Sequence, residues 1–213
     1  MSFDVLAPHY RWMEFVLAGK KLQRGRTALL GRIAEAKKIL ILGEGNGRFL
    51  LECRRKFPNA NITSVDASAR MLALARRRLA GQGIGCEEIE FIHADALKWT
   101  PSSGNFDLIV THFFLDCFRR EQLQVLIAKL ARAAASRANW LLADFQTAEA
   151  GLQRQRSRLI LWGLYRFFRA ATRLPATELI SPDEFLAQEG FSLREREVYD
   201  WGLLRSDCWQ RTG

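Results

Sequence analysis

Three glycines at alternate positions, Gly43, Gly45 and Gly47, lie in ILILGEGNGRFL, residues 39–50, directly behind a run of branched apolar residues. Backbone without a Cβ admits a ligand to close range, and a strand that turns through glycines into a helix presents main-chain N–H groups and a positive helix end. Such a turn suits a nucleotide-like ligand. Two acids follow at matching places, Asp66 after the apolar run NITSV and Asp95, beside Ala96, in FIHADAL. A carboxylate at the end of a second strand accepts hydrogen bonds from both hydroxyls of a ribose. Each feature alone has an ordinary reading, the glycines as a tight turn and the acids as helix caps. Their succession after three strands weakens that reading. Farther on, FDLIVTHFFLDCF, residues 106–118, carries His112 and Asp116, which can take a proton from a reacting group.

These residues need a frame to bring them together. Apolar β-rich runs alternate with helical patterns, as in a parallel sheet covered by helices on both faces. Strands are expected at Ile39–Leu42, Ile62–Val65, Ile89–Ile92, Phe106–Thr111 and Trp140–Asp144, and helices near 47–57, 68–80 and 121–135. Helices near 9–19 and 21–36 precede the first strand, a long helix spans about 152–173, and FSLREREVYDWGLLRSDCW offers two further strands as an antiparallel pair. At 213 residues and 48% hydrophobic content, one well-filled domain is expected over 1–213: N-terminal helices to 37, a ligand-binding core over 38–145, and a basic helix with the last strands over 146–213.

Composition narrows the chemistry. Cys53, Cys86, Cys117 and Cys208 form no CxxC or Cys/His pattern, so reduced packing thiols are expected and no metal site. No apolar run approaches the roughly 20 residues that span a bilayer, and the opening MSFDVLAPHY lacks a signal-peptide pattern, so a cytoplasmic location is expected. A formal net charge of +9 suits nucleic acid, anionic membranes or acidic small molecules.

Taken together, the motifs resemble those of class I S-adenosylmethionine-dependent methyltransferases. ILILGEGNGRFL is similar to the family's first motif, which passes the methionine part of the cofactor, SVDAS to the second, and HADAL to the segment that holds the adenine. The resemblance implies an α/β, doubly wound, Rossmann-like seven-stranded sheet, mostly parallel with one antiparallel strand and helices on both faces. It assigns S-adenosylmethionine contacts to Gly43, Glu44, Gly45, Gly47, Asp66, Ala67, Asp95, Ala96 and Thr111. Ile41 stands where the family carries an acid, and Glu44 is the residue expected to supply that charge. The opening FDVLAPHYRWMEFV looks most like bacterial ubiquinone/menaquinone-type enzymes, implying a small, lipophilic or aromatic acceptor.

Other readings stand beside this one. A nucleotide-dependent dehydrogenase also wants an acid about 20 residues past the glycines, but its G-x-G-x-x-G fingerprint fails because Arg48 occupies the third glycine's place. A nucleic-acid acceptor is disfavoured, since no proline lies in the fourth-strand motif and no cysteine follows a proline. A non-catalytic cofactor-binding protein would share the same motifs. For proton removal the candidates are His112, Asp116 and Tyr10, with Asp144 behind them; each has a plainer role, Asp116 as a cap of the helix starting near Arg119. Residues 152–174 mix arginines with Leu159, Trp162, Phe167 and Phe168, suggesting a sheet-covering helix whose surplus apolar side chains touch an acceptor, a partner chain or a lipid surface.

Overall fold

A computed structural model describes residues 19–101, 105–148, 150–172 and 179–212, with backbone alone at 164, 165 and 167–172. The strands are β1 Lys38–Leu42, β2 Asn61–Asp66, β3 Ile89–His93, β4 Phe106–His112, β5 Ala134–Phe145, β6 Phe191–Tyr199 and β7 Leu204–Arg211. They form one sheet in the order β3-β2-β1-β4-β5-β7-β6. β1 to β5 are parallel, and β7 runs antiparallel to both β5 and β6, giving the single reversed strand expected. The order turns outward in both directions from β1 and β4, the point where open α/β sheets leave a crevice at their carboxyl edge.

Around the sheet lie α1 Gly19–Thr27, α2 Arg48–Lys56, α3 Ala69–Ala80, α4 Arg120–Ala133, α5 Gly151–Thr172 and α6 Asp183–Gln188. Alternation along β1 shows why both faces need cover. Ile39 and Ile41 pack with Phe49, Leu50, Ala75 and Leu79 of α2 and α3, whereas Leu40 and Leu42 pack with Leu123, Leu126, Ile127 and Leu130 of α4. Trp140 on β5 is fully buried on the α4 side. Among the described residues no helix is long and apolar enough to cross a membrane, and all four cysteines are unpaired thiols.

Three expectations need correction. The helix expected over 21–36 stops at Thr27 and gives way to a 3-10 turn at Leu30–Arg32, where Gly31 lowers helix propensity. β5 starts at Ala134 instead of Trp140: AAASRAN reads as helix by composition, but the chain passes from α4 into the sheet without a loop, and a register shift against β4 between Phe106 and Leu108 takes up the mismatch. α6 was not expected, although SPDE at 181–184 carries the acids of a first helical turn. The helix expected near 9–19 lies outside the described residues.

Candidate active site

The glycine turn follows β1. Gly43, Gly45 and Gly47 have φ of 65°, 70° and 80°, the left-handed region that other residues enter at a cost. Part of the reason for their small size is internal. A Cβ on Gly43 would lie 2.4 Å from the Phe114 ring, and one on Gly47 would lie 2.7 Å from Ala75 of α3. Gly47 therefore also lets α2 pack closely on α3. Glu44 Oε1 accepts the main-chain N–H groups of Phe49 at 2.8 Å and Leu50 at 3.1 Å, capping α2 from inside. Burial raises its pKa from 4.5 to about 7 against the lowering charge of Arg26.

Asp66, the last residue of β2, accepts the Gly45 N–H at 3.1 Å on Oδ2 and the Ser68 N–H at 2.9 Å on Oδ1. Its ordinary alternative, the cap of α3, belongs to Ser68, whose hydroxyl accepts the Met71 N–H at 3.2 Å. Ala67 lies beside it, and its carbonyl is 3.1 Å from His93 Nε2, linking the ends of β2 and β3. Asp95 is exposed just past β3, with Oδ1 accepting the Leu97 N–H at 3.0 Å. Ala96 turns into the core under α4, so its side chain packs and does not line the edge. Lys129 of α4, which the sequence did not single out, holds this loop: its Nζ donates to the carbonyls of Ala96, Leu97 and Trp99 at 2.5, 3.1 and 2.6 Å. Burial lowers its pKa, and nearby Asp95 opposes that shift.

Beyond β4 the environment changes. Thr111 is fully buried, and its hydroxyl accepts the Trp140 Nε1–H at 2.8 Å, so its side chain serves the α4-side core. His112 faces the opposite side, its ring edge-on to Phe49 at 4.5 Å. Burial, and then the charge of Arg26, hold its pKa well below the ordinary range, and its Nδ1 has no hydrogen-bond partner among the described residues. It is a neutral imidazole. Asp116 and Asp144 come together from the segment after β4 and the end of β5, joined through a hydrogen bond between their carboxyl groups.

Both carboxyl groups of the pair are held above the ordinary carboxylate range. Asp144 is 2% exposed and accepts the Phe145 N–H at 2.9 Å. Burial, then Asp116, push its pKa well above the carboxylate range, with Arg205 opposing. Burial pushes Asp116 up to about 6, restrained by hydrogen bonds from Cys117 and Asp144. The two carboxyl groups thus hold a proton more tightly as a pair than either would alone, and Asp116 titrates close to neutrality. The plainer role for Asp116 does not hold, because α4 starts after Arg119, whose N–H donates to Gln122 Oε1 at 3.1 Å. Aromatic rings adjoin the pair: Phe114 packs on Phe118 at 5.1 Å, and Phe113 on Phe145 at 5.4 Å. Tyr10 lies outside the described residues. Arg26, 4% exposed and 5.2 Å from the Phe113 ring centroid, joins this region without a motif to announce it.

Residues 39–137 match the methyltransferase-domain family. The chain is 28% identical over 209 residues to a demethylmenaquinone methyltransferase of Thermus thermophilus, covering 90% of this chain and 92% of that protein. It is 34% identical over 115 residues to a ubiquinone/menaquinone biosynthesis C-methyltransferase of Desulfotalea psychrophila, covering 53% of this chain and 45% of that one. In fold it is similar to the N-methyltransferase NodS of Bradyrhizobium japonicum in complex with S-adenosyl-L-homocysteine, with a TM-score of 0.63 at 14% identity over 91% of this chain and 85% of NodS. A glycine turn tied to a strand-end acid, a second acid after β3, a sheet of this order and these likenesses converge: residues 39–137 form a methyltransferase domain, and the chain is similar to S-adenosylmethionine-dependent methyltransferases.

Proposed function

We propose that the acceptor is a small aromatic molecule with an acidic hydroxyl, a reduced quinone in its simplest form, and that Asp116 takes the proton it loses. Bound S-adenosylmethionine supplies a methyl on a positively charged sulfur, open to in-line displacement. In this reading the turn at Gly43 and Gly45 faces the methionine end, Asp66 and Ala67 meet the ribose, and Asp95 meets the adenine amine. The donor chemistry fits: carboxylates at successive strand ends accept from hydroxyls and an amine, and two main-chain amides hold one of them in advance.

On the acceptor side, Asp116 accepts the hydroxyl proton while Asp144 stays protonated and steadies the new charge arrangement. The proton later passes from Asp116 to solvent. Phe114 and Phe118 give a flat ring an apolar wall and keep water from competing. His112, neutral and held well below its ordinary pKa, is the weaker base. The observation that carries this reading is the Asp116–Asp144 pair at the ends of β4 and β5, Asp144 buried and Asp116 half-buried. The quinone-type acceptor draws further support from the likeness to relatives named for demethylmenaquinone and ubiquinone/menaquinone methylation. Incubation with S-adenosylmethionine and separate acceptors, a demethylated naphthoquinol, a simple carboxylic acid and an RNA, followed by mass spectrometry, tests it. Methylation of the naphthoquinol is expected; transfer only to the acid or the RNA would overturn the reading.

A further inference from the structure

We propose that the exposed side of α5 is a docking surface for an anionic lipid membrane. α5 spans 22 residues and holds five arginines, Arg154, Arg156, Arg158, Arg166 and Arg169, with no Asp or Glu. Its inner side is settled: Ser157 and Leu161 are buried, the latter with Leu22, Leu203 and Leu204. Among the described residues the other side has no such cover. Leu152, Leu159 and Trp162 are 82%, 69% and 61% exposed. At 3.6 residues per turn these three fall within about 80° of arc, on a stripe that also contains Arg166. The Arg166 guanidinium lies 5.2 Å from the Trp162 ring centroid, exposed Arg158 borders the stripe, and exposed Arg154 lies farther round the helix.

A neighbouring element adds a second exposed tryptophan. Arg156 Nη1 donates to the Asp200 carbonyl at 3.1 Å, and Lys21 Nζ donates to Asp200 Oδ1 at 2.7 Å, fixing the turn between β6 and β7 against α5. The next residue, Trp201, is 70% exposed and has φ of 59°, a conformation that costs a bulky side chain energy and persists only where the surroundings enforce it. An enforced, exposed tryptophan beside a basic helix with Leu and Trp on its open side fits the boundary between headgroups and acyl chains. There indole rings sit at headgroup depth and guanidinium groups reach phosphates. The chain's net charge of +9 adds long-range attraction to an anionic surface. About 33 Å long, the helix would lie in the membrane plane, in keeping with no described helix being both long and apolar enough to cross one.

Docking does not depend on the acceptor reading, although it would bring the sheet edge to a lipophilic substrate dissolved in the bilayer. Full-length protein is centrifuged with vesicles of phosphatidylcholine alone and of phosphatidylcholine with phosphatidylglycerol, at low and high salt. Sedimentation with the anionic vesicles at low salt, lost at high salt, is expected. The paired substitutions Arg154→Gln and Arg158→Gln should weaken partition about thirtyfold. Leu159→Ser with Trp162→Ser should weaken it at least tenfold while leaving S-adenosylmethionine affinity unchanged, which separates loss of docking from loss of folding or of the cofactor site. Protein that stays in the supernatant with anionic vesicles at low salt would overturn the proposal. So would unchanged partition of both paired variants, or binding to DNA with none to vesicles.

Discussion

At the ends of β2 and β3, Asp66 and Asp95 lie half-buried or exposed and are held by main-chain N–H groups. At the ends of β4 and β5, Asp144 and His112 are buried and Asp116 is half-buried beside them, and burial is the first cause of every shift in their pKa. The same sheet edge therefore presents two kinds of ionisable group. Acids of the first kind are suited to hold a polar ligand, because their orientation is fixed and their charge stays hydrated. Those of the second kind are suited to move a proton, because desolvation brings a carboxyl group towards neutrality.

The sharpest way to break this contrast is at Asp116. Asp116→Asn should lower kcat by about 10²–10⁴-fold, the range typical of a lost general base, and leave S-adenosylmethionine affinity unchanged. Steady-state kinetics on a methylated acceptor, beside a cofactor titration, reads both. In the parent protein kcat should rise with pH through about 6, because Asp116 must be ionised to accept a proton. Loss of that ascending limb in the variant would tie it to the pair.

Glu44 tests whether burial alone produces the second kind of behaviour, since it sits in the glycine turn but behind it. Its folded pKa lies above its ordinary value, so its contribution to stability is complete below pH 4.5 and is lost as pH rises through about 7. The shift corresponds to about 3 kcal/mol. Chemical denaturation at pH 5 and pH 8 should show the parent protein losing stability across that interval, and Glu44→Gln, which keeps the hydrogen bonds to α2, losing much less.

A smaller effect is expected at Asp66. Asp66→Ala should weaken S-adenosylmethionine by about 1–3 kcal/mol through unpaired sugar hydroxyls, with kcat at saturating cofactor little changed. Smallest is Lys129, a positioning residue. Lys129→Met should weaken cofactor affinity several-fold, by about 1 kcal/mol, as three carbonyls of the loop carrying Asp95 lose their donor. Partial recovery in Lys129→Arg, with unchanged affinity for a cofactor analogue lacking the adenine amine, separates positioning from general loss of stability.

The sequence made the sheet legible because each parallel strand is a short, nearly continuous apolar run, as burial on both faces requires, and each is bounded by turn residues. It misled where local preference and long-range pairing disagree: the alanines at 133–135 favour helix, but Ala134 and Ala135 enter β5. At the site, Asp66, Asp95 and Asp116 could be found from their places after strands. Contacts made by distant elements had no such signal. Nothing near Gly43 announces that Phe114 fills the space above it, and Lys129 looks like an ordinary helix lysine until the loop after β3 folds onto it. Thr111 and Ala96 show the converse, since position on an edge strand motif does not reveal which side of the sheet a side chain takes.

The division of the edge is tested most directly by calorimetric titration of S-adenosyl-L-homocysteine into the parent protein, Asp66→Ala and Asp116→Asn under one buffer, with folding checked by circular dichroism. Saturable binding to the parent is predicted, weakened about 5- to 150-fold in Asp66→Ala and unaltered in Asp116→Asn. Equal weakening in the two variants, or unaltered binding in Asp66→Ala, would contradict it.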